Sequence, residues 1–371
     1  MSAHPTLPLS PSLGPYMDVW HKVIPILALG LLAAALSLPD SPLLTAASAL
    51  MLIAAVVSAV HHAEVVALRV GEPYGTLVLA LAITAIEVAL IVSLMIAAGP
   101  SKAALARDTI YATVMIISSG VIGICLLLGG LRHREQGFRA EGAGAALSAL
   151  AALSTLVLIL PEFTTSAPGA SYSTTQLIFV AISSLLLWCA FVFFQTVRHR
   201  DYFLPASDIS NQAVHAAPPS NVQSWISFVL LLLALVVVVG LAKALSPAIE
   251  AAVASAGAPA AVVGIIIAMV VLLPEGVSAI RAALANRLQT SMNLAFGSAL
   301  ASIGLTIPAV VVVAIVLDLP LLLGLEPKNM ILLVLSLFVC AIGLGNGRTN
   351  MMQGAVQVVI FAAFLFLSMV P

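Results

Sequence analysis

The chain has 371 residues, 62% of them hydrophobic and 8% charged, with a formal net charge of −1 and a mean hydropathy of +1.18. A water-soluble domain carries about 25% charged residues, so this composition excludes a soluble fold and indicates a polytopic membrane protein. The near-zero net charge says little about partners; the lipid bilayer and small inorganic ions are expected, and nucleic acid is not.

The N-terminal stretch MSAHPTLPLSPSLGPYMDVWHK lacks a basic segment followed by an apolar run and a small-residue cleavage site. No cleaved signal peptide is therefore expected. Apolar stretches of about 20 residues, the length that crosses a bilayer, then follow one another along the chain. They place eleven transmembrane helices near residues 22–38, 43–62, 74–98, 107–130, 142–161, 175–196, 224–245, 256–281, 289–317, 329–345 and 351–370.

Cys125, Cys189 and Cys340 fall inside apolar runs without metal-ligand spacing, and packing is the expected role. The second run carries His61, His62 and Glu64 towards its end. Adjacent histidines point about 100° apart on a helix, which is poor geometry for a metal, so interfacial polar residues are expected there, with an ion-entry or pH-sensing role as the alternative. Glu72 and Pro73 open the third run, either to attract cations or simply to begin a helix. Arg107 and Asp108 read as a solvated helix start, and Glu162 and Asp318 lie near helix ends. Trp20, Trp188 and Trp225 read as interface anchors. The longest polar stretch, residues 198–224, has the Pro, Ser, Asn and Gln content of a loop and is expected to link two halves.

With the N-terminus inside, Lys22, Arg69, Arg132, Arg134, Arg139, Arg198, Arg200, Arg281, Arg287 and Arg348 fall in inner loops, against Lys102, Arg107, Lys243 and Lys328 outside. That excess predicts a cytoplasmic N-terminus and, after eleven spans, an external C-terminus. An odd count also fits one leading helix followed by two five-helix repeats of opposite orientation, an arrangement that places ion sites near the midplane.

Two carboxylates carry the chemistry. Glu87 is the one charge in the apolar run Leu77–Ala98, and Glu275 the one ionisable group between Ala251 and Ile280. A charge at that depth costs roughly 2.5–3.5 kcal/mol on insertion scales, so each is expected to face a cavity, a partner or an ion. They occupy the second helices of the two halves. The helices that follow each carry hydroxyls, Thr113, Ser118 and Ser119 in one and Ser298, Ser302 and Thr306 in the other, which serve either as oxygen ligands or as packing groups. Two carboxylates facing one cavity bind one divalent cation or two protons, because like charges in a low-dielectric site repel until one arrives. Pro274 and Gly276 flank Glu275 and predict a local break in that helix, the alternative being a plain proline kink.

The segments GEPYGTLVLALAITAIEVALI (71–91), FQTVRH (194–199), LLPEGVSAIRAALANRLQTSMNLAFGSALASIGLTIP (272–308) and GRTNMMQG (347–354) resemble, in order, the motifs of the cation/calcium-exchanger superfamily, above all the bacterial ChaA-type calcium/proton antiporters. The resemblance implies an all-α fold with a leading helix and two inverted five-helix repeats. The matching division is residues 1–40, 41–197, a cytoplasmic linker 198–223, and 224–371. It also implies a site built on Glu87 and Glu275, with Ser298 in the small-polar position after the second acid and Thr84 where plant and fungal relatives have Asn. The implied activity is Ca²⁺ export in exchange for H⁺ across a bacterial inner membrane, with Na⁺ or K⁺ in place of Ca²⁺ as the alternative. The ions are transported, and no cofactor is implied. Gln353 stands where relatives often have Glu, and the linker holds only Asp201 and Asp208 in place of an acidic run. No HExxH or GxSxG motif of an intramembrane hydrolase is present.

Overall fold

The computed structural model describes residues 15–38, 41–71, 74–204 and 219–370. Residues 1–14, Glu72, Pro73 and Asp208 lie outside the described residues. Among the described residues, eleven long helices make up the fold: α1 Pro15–Ser37, α2 Pro42–Val70, α3 Tyr74–Ala98, α4 Leu105–His133, α5 Ala140–Phe163, α6 Thr174–Arg198, α7 Asn221–Ser255, α8 Ala261–Leu284, α9 Leu288–Val316, α10 Pro327–Leu344 and α11 Met351–Met369. Ten satisfy the length and composition of a membrane span, and within α3 the stretch Ala80–Ile96 is a shorter apolar helix that carries Glu87.

Most helices extend past the apolar runs because capping chemistry, rather than hydropathy, fixes where a helix starts and stops. Ser41 caps α2, its side chain accepting from the Leu44 N–H at 3.2 Å, with Pro42 at the first helical position. At the other end Gly71 adopts φ 77° and its N–H reaches the Ala67 carbonyl, so α2 closes eight residues later than expected. Ser220 and Gln223 form a reciprocal capping box that starts α7, and Asn350 and Gln353 form another that starts α11. Gln353 lies in the first turn of α11, within the span expected there.

Segment ends gather at two opposite faces of the bundle. On one, β1 (Glu135–Gly137) pairs antiparallel with β2 (Arg348–Asn350), with Gln136 opposite Thr349. Gln136 Nε2 donates to the Ala283 carbonyl at 2.8 Å, the Arg139 N–H donates to Gln289 at 2.7 Å, and Asn293 donates to the Phe203 carbonyl at 2.6 Å. On the other face Leu322 N–H bonds Ala103, Gly324 bonds Ala170 and Leu325 bonds Leu158. The two halves are therefore knitted together at both ends.

The packing is exchanged consistently between halves. With α2–α6 set against α7–α11, α3 packs on α9 and its counterpart α8 packs on α4; α6 packs on α9 and its counterpart α11 packs on α4. Contacts that map onto each other when the halves are swapped are those of an inverted repeat.

Buried side chains divide into two bodies. One comprises α1, α2 and α7, with Ala28, Ala55, Ala59, Ala234, Val237 and Leu241 at its centre. The other comprises α4–α6 and α9–α11, centred on residues such as Ile110, Leu150, Phe296, Leu333 and Phe364. The acid-bearing helices α3 and α8 lie between them and contribute to both. Ile86, Leu90 and Leu94 of α3 face the first body, while Ile91 and Met95 face the second.

Several expectations are corrected. Trp188 sits mid-helix in α6, half-buried against Gly304 of α9, and is not an interface anchor; Trp20 and Trp225 are largely exposed, as anchors are. Asp108 is not a solvated charge: it is mostly buried and paired with Arg107 at 2.8 Å, while Arg107 also donates to the Gly324 carbonyl. Cys125 and Cys340 are buried and Cys189 is exposed; all three are free thiols.

Candidate functional site

α3, α4, α8 and α9 meet where the two bodies adjoin, and this is where the acids lie. Glu87, near the middle of α3, is 3% exposed. The hydroxyl of Ser302 on α9 reaches both its carboxyl oxygens, at 2.6 and 2.5 Å, sharing one proton between them. Thr113 on α4 also lies within hydrogen-bonding reach of this carboxyl. Thr84 is buried three residues earlier on the same helix, on the face that Glu87 occupies.

Glu275, on α8, is 9% exposed, and neither of its carboxyl oxygens has a hydrogen-bond partner among the described residues. Ser298 of α9 and the residue's own backbone N–H are close enough to act on it electrostatically, and it lies within Coulombic range of Glu87 and Glu64. The structure thus brings all four expected residues, Glu87, Glu275, Thr84 and Ser298, to adjoining helices. A buried carboxylate without partners is among the costliest arrangements a fold can hold. It is relieved by a proton or by a cation.

α8 runs unbroken from Ala261 to Leu284 through Pro274, which corrects the expected local break. Proline still removes one donor, so the Val270 carbonyl loses its helical partner. Close packing does not require glycine at 276: a Cβ there would lie 3.4 Å from Val121 of α4, an ordinary contact.

Ser302, rather than Ser298, is the hydroxyl bonded to an acid. The signal was in the sequence: Ser298, Ser302 and Thr306 recur every four residues, so all three share one face of α9. Ser118 and Ser119 bond Ser336 of α10 instead of the acids.

The His61–His62 pair is also placed differently from expectation. α2 continues to Val70, and His62 is buried inside it at 1% exposure. Its ring nitrogens meet the His21 carbonyl at 3.1 Å and Ser227 Oγ at 3.3 Å, while His61 stacks on His21 with ring centroids 4.0 Å apart. These imidazoles join α1, α2 and α7 and are not interfacial residues at a helix end. Among the described residues no group of three His, Cys, Asp or Glu side chains converges as a metal site.

The chain is similar to known proteins over nearly its whole length. The family model described as sodium/calcium exchanger protein matches residues 41–197 and again residues 226–370. The chain is 47% identical over 360 residues to the Sinorhizobium fredii protein y4hA, described as an ionic transporter, covering 96% of this chain and 97% of the relative. It is 37% identical over 348 residues to the sodium-potassium/proton antiporter ChaA of Escherichia coli (92% and 94% covered). It is 26% identical over 350 residues to a Ca²⁺/H⁺ antiporter of Aphanothece halophytica (88% and 91% covered). The fold matches that of native YfkE with a TM-score of 0.72 at 19% identity, over 95% of this chain and 100% of the other. It matches the H⁺/Ca²⁺ exchanger CAX with a TM-score of 0.70 at 15% identity, over 95% and 89%. A buried acid on each of two inverted helix sets, a family model matched once on each half, and transporters as the near full-length relatives agree: the chain belongs to the sodium/calcium exchanger protein family.

Proposed function

We propose that the chain is a secondary active antiporter that exports Ca²⁺ in exchange for H⁺ by alternating access, with Glu87 and Glu275 binding the cation or protons but not both. The observation that carries this reading is the unpartnered Glu275 carboxyl, buried within Coulombic range of Glu87. Two ionised carboxylates there repel and lack solvent. Protons neutralise them one by one; a divalent cation neutralises both at once. Each occupant removes the charge that attracts the other, so exclusion follows from electrostatics without a separate gate. Thr84 and Ser298 are the additional oxygens of the proposed site, and hard oxygen ligands suit Ca²⁺ or alkali ions.

The proposed division places the repeats at residues 41–197 and 224–371, with the linker end of the bundle in the cytoplasm of a bacterium and the C-terminus outside. The basic residues of the inner loops support that orientation. A second reading, Na⁺ or K⁺ in place of Ca²⁺, is favoured by the name of the 37% identical relative, a sodium-potassium/proton antiporter. Purified protein in liposomes with an imposed pH gradient separates the two. Ca²⁺, Na⁺ and K⁺ are added in turn, and the ion that dissipates the gradient is the substrate. A gradient untouched by all three sinks the antiport reading.

A further inference from the structure

α4 is not a continuous α-helix. Residues Ile116–Val121 form one π-helical turn between the α-helical segments Leu105–Met115 and Ile122–His133. Its repeat counterpart α9 is α-helical throughout, from Leu288 to Val316. The irregularity therefore belongs to one half only, and π turns of this kind concentrate at functional sites.

The turn is held from outside its own helix. Ser118 Oγ donates to the Val114 carbonyl at 2.6 Å, which commits its proton. Ser336 Oγ, 2.7 Å away on α10, must then donate to Ser118, and Ser119 Oγ, 2.5 Å from Ser336, must donate in turn. The three hydroxyls form a single directed chain, and each residue is 0% exposed. A second strand of contacts runs alongside. Gln357 of α11 donates to Cys340 Sγ at 3.1 Å, and Cys340 donates to the Ser118 carbonyl at 3.4 Å. Ser336 is the one side chain that bonds both serines of the turn.

What lies on either side of the turn gives it consequence. Two residues before the α-helical segment ends at Met115, Thr113 reaches Glu87; at the far end of the turn, Val121 faces Gly276, the residue after Glu275. α4 thus touches the surroundings of both acids, with the π turn between the two contacts. A π turn is a one-residue insertion, and relaxing it to α geometry would rotate everything beyond it by about 100° and shift it by about 1.5 Å. Thr113 and Val121 could not then both keep their contacts.

We propose that Ser336 is a positioning residue for cation binding: by pinning the π turn of α4 it sets the placement of Glu275 relative to Glu87. It touches neither acid and no transported ion. The inference rests on the antiport reading given above, since it assigns the paired acids to the transported cation.

The test uses the full chain in liposomes, with Ca²⁺, Na⁺ and K⁺ as separate probes, and cation-induced thermal stabilisation of the detergent-solubilised protein as a readout independent of transport. Ser336→Ala is expected to raise the half-saturating cation concentration about tenfold, the consequence of losing a buried hydrogen-bonded pair, while the rate at saturating cation is retained. Ser336→Thr, which keeps the hydroxyl, is expected to restore the wild-type value. If Ser336→Ala does not insert, Ser119→Ala, which removes one link of the chain, carries the same expectation at about threefold. An unchanged half-saturating concentration, or a loss that only tracks the amount of folded protein, overturns the positioning role and leaves antiport standing. A wild-type protein that neither exchanges nor is stabilised by any of the three cations overturns both.

Discussion

Glu87 and Glu275 are matched in sequence position and unmatched in surroundings. Glu87 is held by Ser302 and lies within reach of Thr113, whereas Glu275 has no hydrogen-bond partner. The Ser302 hydroxyl fixes one carboxylate in place before any ion arrives, and the bare acid is the one most in need of a ligand. Replacing either acid with Gln keeps the shape, removes the charge and leaves an amide no cation can neutralise. Glu87→Gln and Glu275→Gln are each expected to abolish cation-driven proton movement in liposomes while inserting normally; robust exchange by either variant removes that acid from the site. Exclusive binding also fixes the sign of the pH response. Lowering pH on the side where the cation enters adds a competing ligand, so the half-saturating cation concentration is expected to rise, by up to about tenfold per pH unit for each proton displaced. Initial rates across a pH series measure that slope, and a slope of zero excludes competition. The two acids were legible in the sequence because isolated charges in apolar runs are rare enough to need a reason. Ser302 was harder to assign, since three equally spaced hydroxyls on α9 differ only in how far each lies from α3, and that depends on helix packing.

Helices approach closely here through glycines, and the separations differ in what they tolerate. A Cβ on Gly304 of α9 would sit 2.6 Å from the Trp188 Cβ of α6, closer than any real contact, while one on Gly297 would meet nothing within 4 Å. Gly304→Ala must therefore push α6 from α9, at an expected cost of about 1–3 kcal/mol. Gly297→Ala should be neutral or slightly stabilising, because alanine favours the helix. Thermal unfolding of the two variants in detergent compares them directly, and equal midpoints would show that the α6–α9 seam is looser than the structure has it. At this scale the hydropathy pattern located all eleven helices, since each bilayer crossing needs about 20 apolar residues whatever surrounds it. It did not locate their ends. α2 runs on past its expected end through Glu64 and Arg69, and α7 through Glu250, charges that hydropathy counts against a membrane helix, and the signals that stop such helices are short. The β1–β2 pairing was not legible at all: it joins three-residue strands more than two hundred positions apart, and neither strand has a pattern of its own. Pro274 misled for a related reason, because a proline marks a lost hydrogen bond but its neighbours decide whether the helix kinks or breaks.

The division into two hydrophobic bodies, with α3 and α8 between them, gives the proposed alternating access a physical form. If α1, α2 and α7 shift against α4–α6 and α9–α11, the acids lie where the relative motion occurs. Among the described residues one ion pair ties the turn between α3 and α4 to α7 at the end away from the linker. Lys102, in the 3₁₀ turn Gly99–Lys102 that joins α3 to α4, meets Glu250 near the end of α7 at 2.7 Å, and Ser246 donates to the same carboxylate. The Glu250 side chain is 42% exposed, and a pair that open contributes no more than about 1 kcal/mol. Lys102→Met should therefore leave exchange within about fivefold of wild type. A covalent tie at the same place is a different matter, because it forbids the motion instead of biasing it. A bifunctional thiol reagent of about 10 Å reach can span two positions that meet through long side chains, so it is the suitable tie. It is applied to a Lys102→Cys, Glu250→Cys protein whose exposed Cys189 has been replaced by alanine; Cys125 and Cys340 are buried and should not react. Cross-linking is expected to stop exchange in proteoliposomes, while the same protein treated with a monofunctional reagent continues to transport. Exchange that persists after complete cross-linking would mean that α7 and the α3–α4 turn move together, and that the sliding surface lies elsewhere in the bundle.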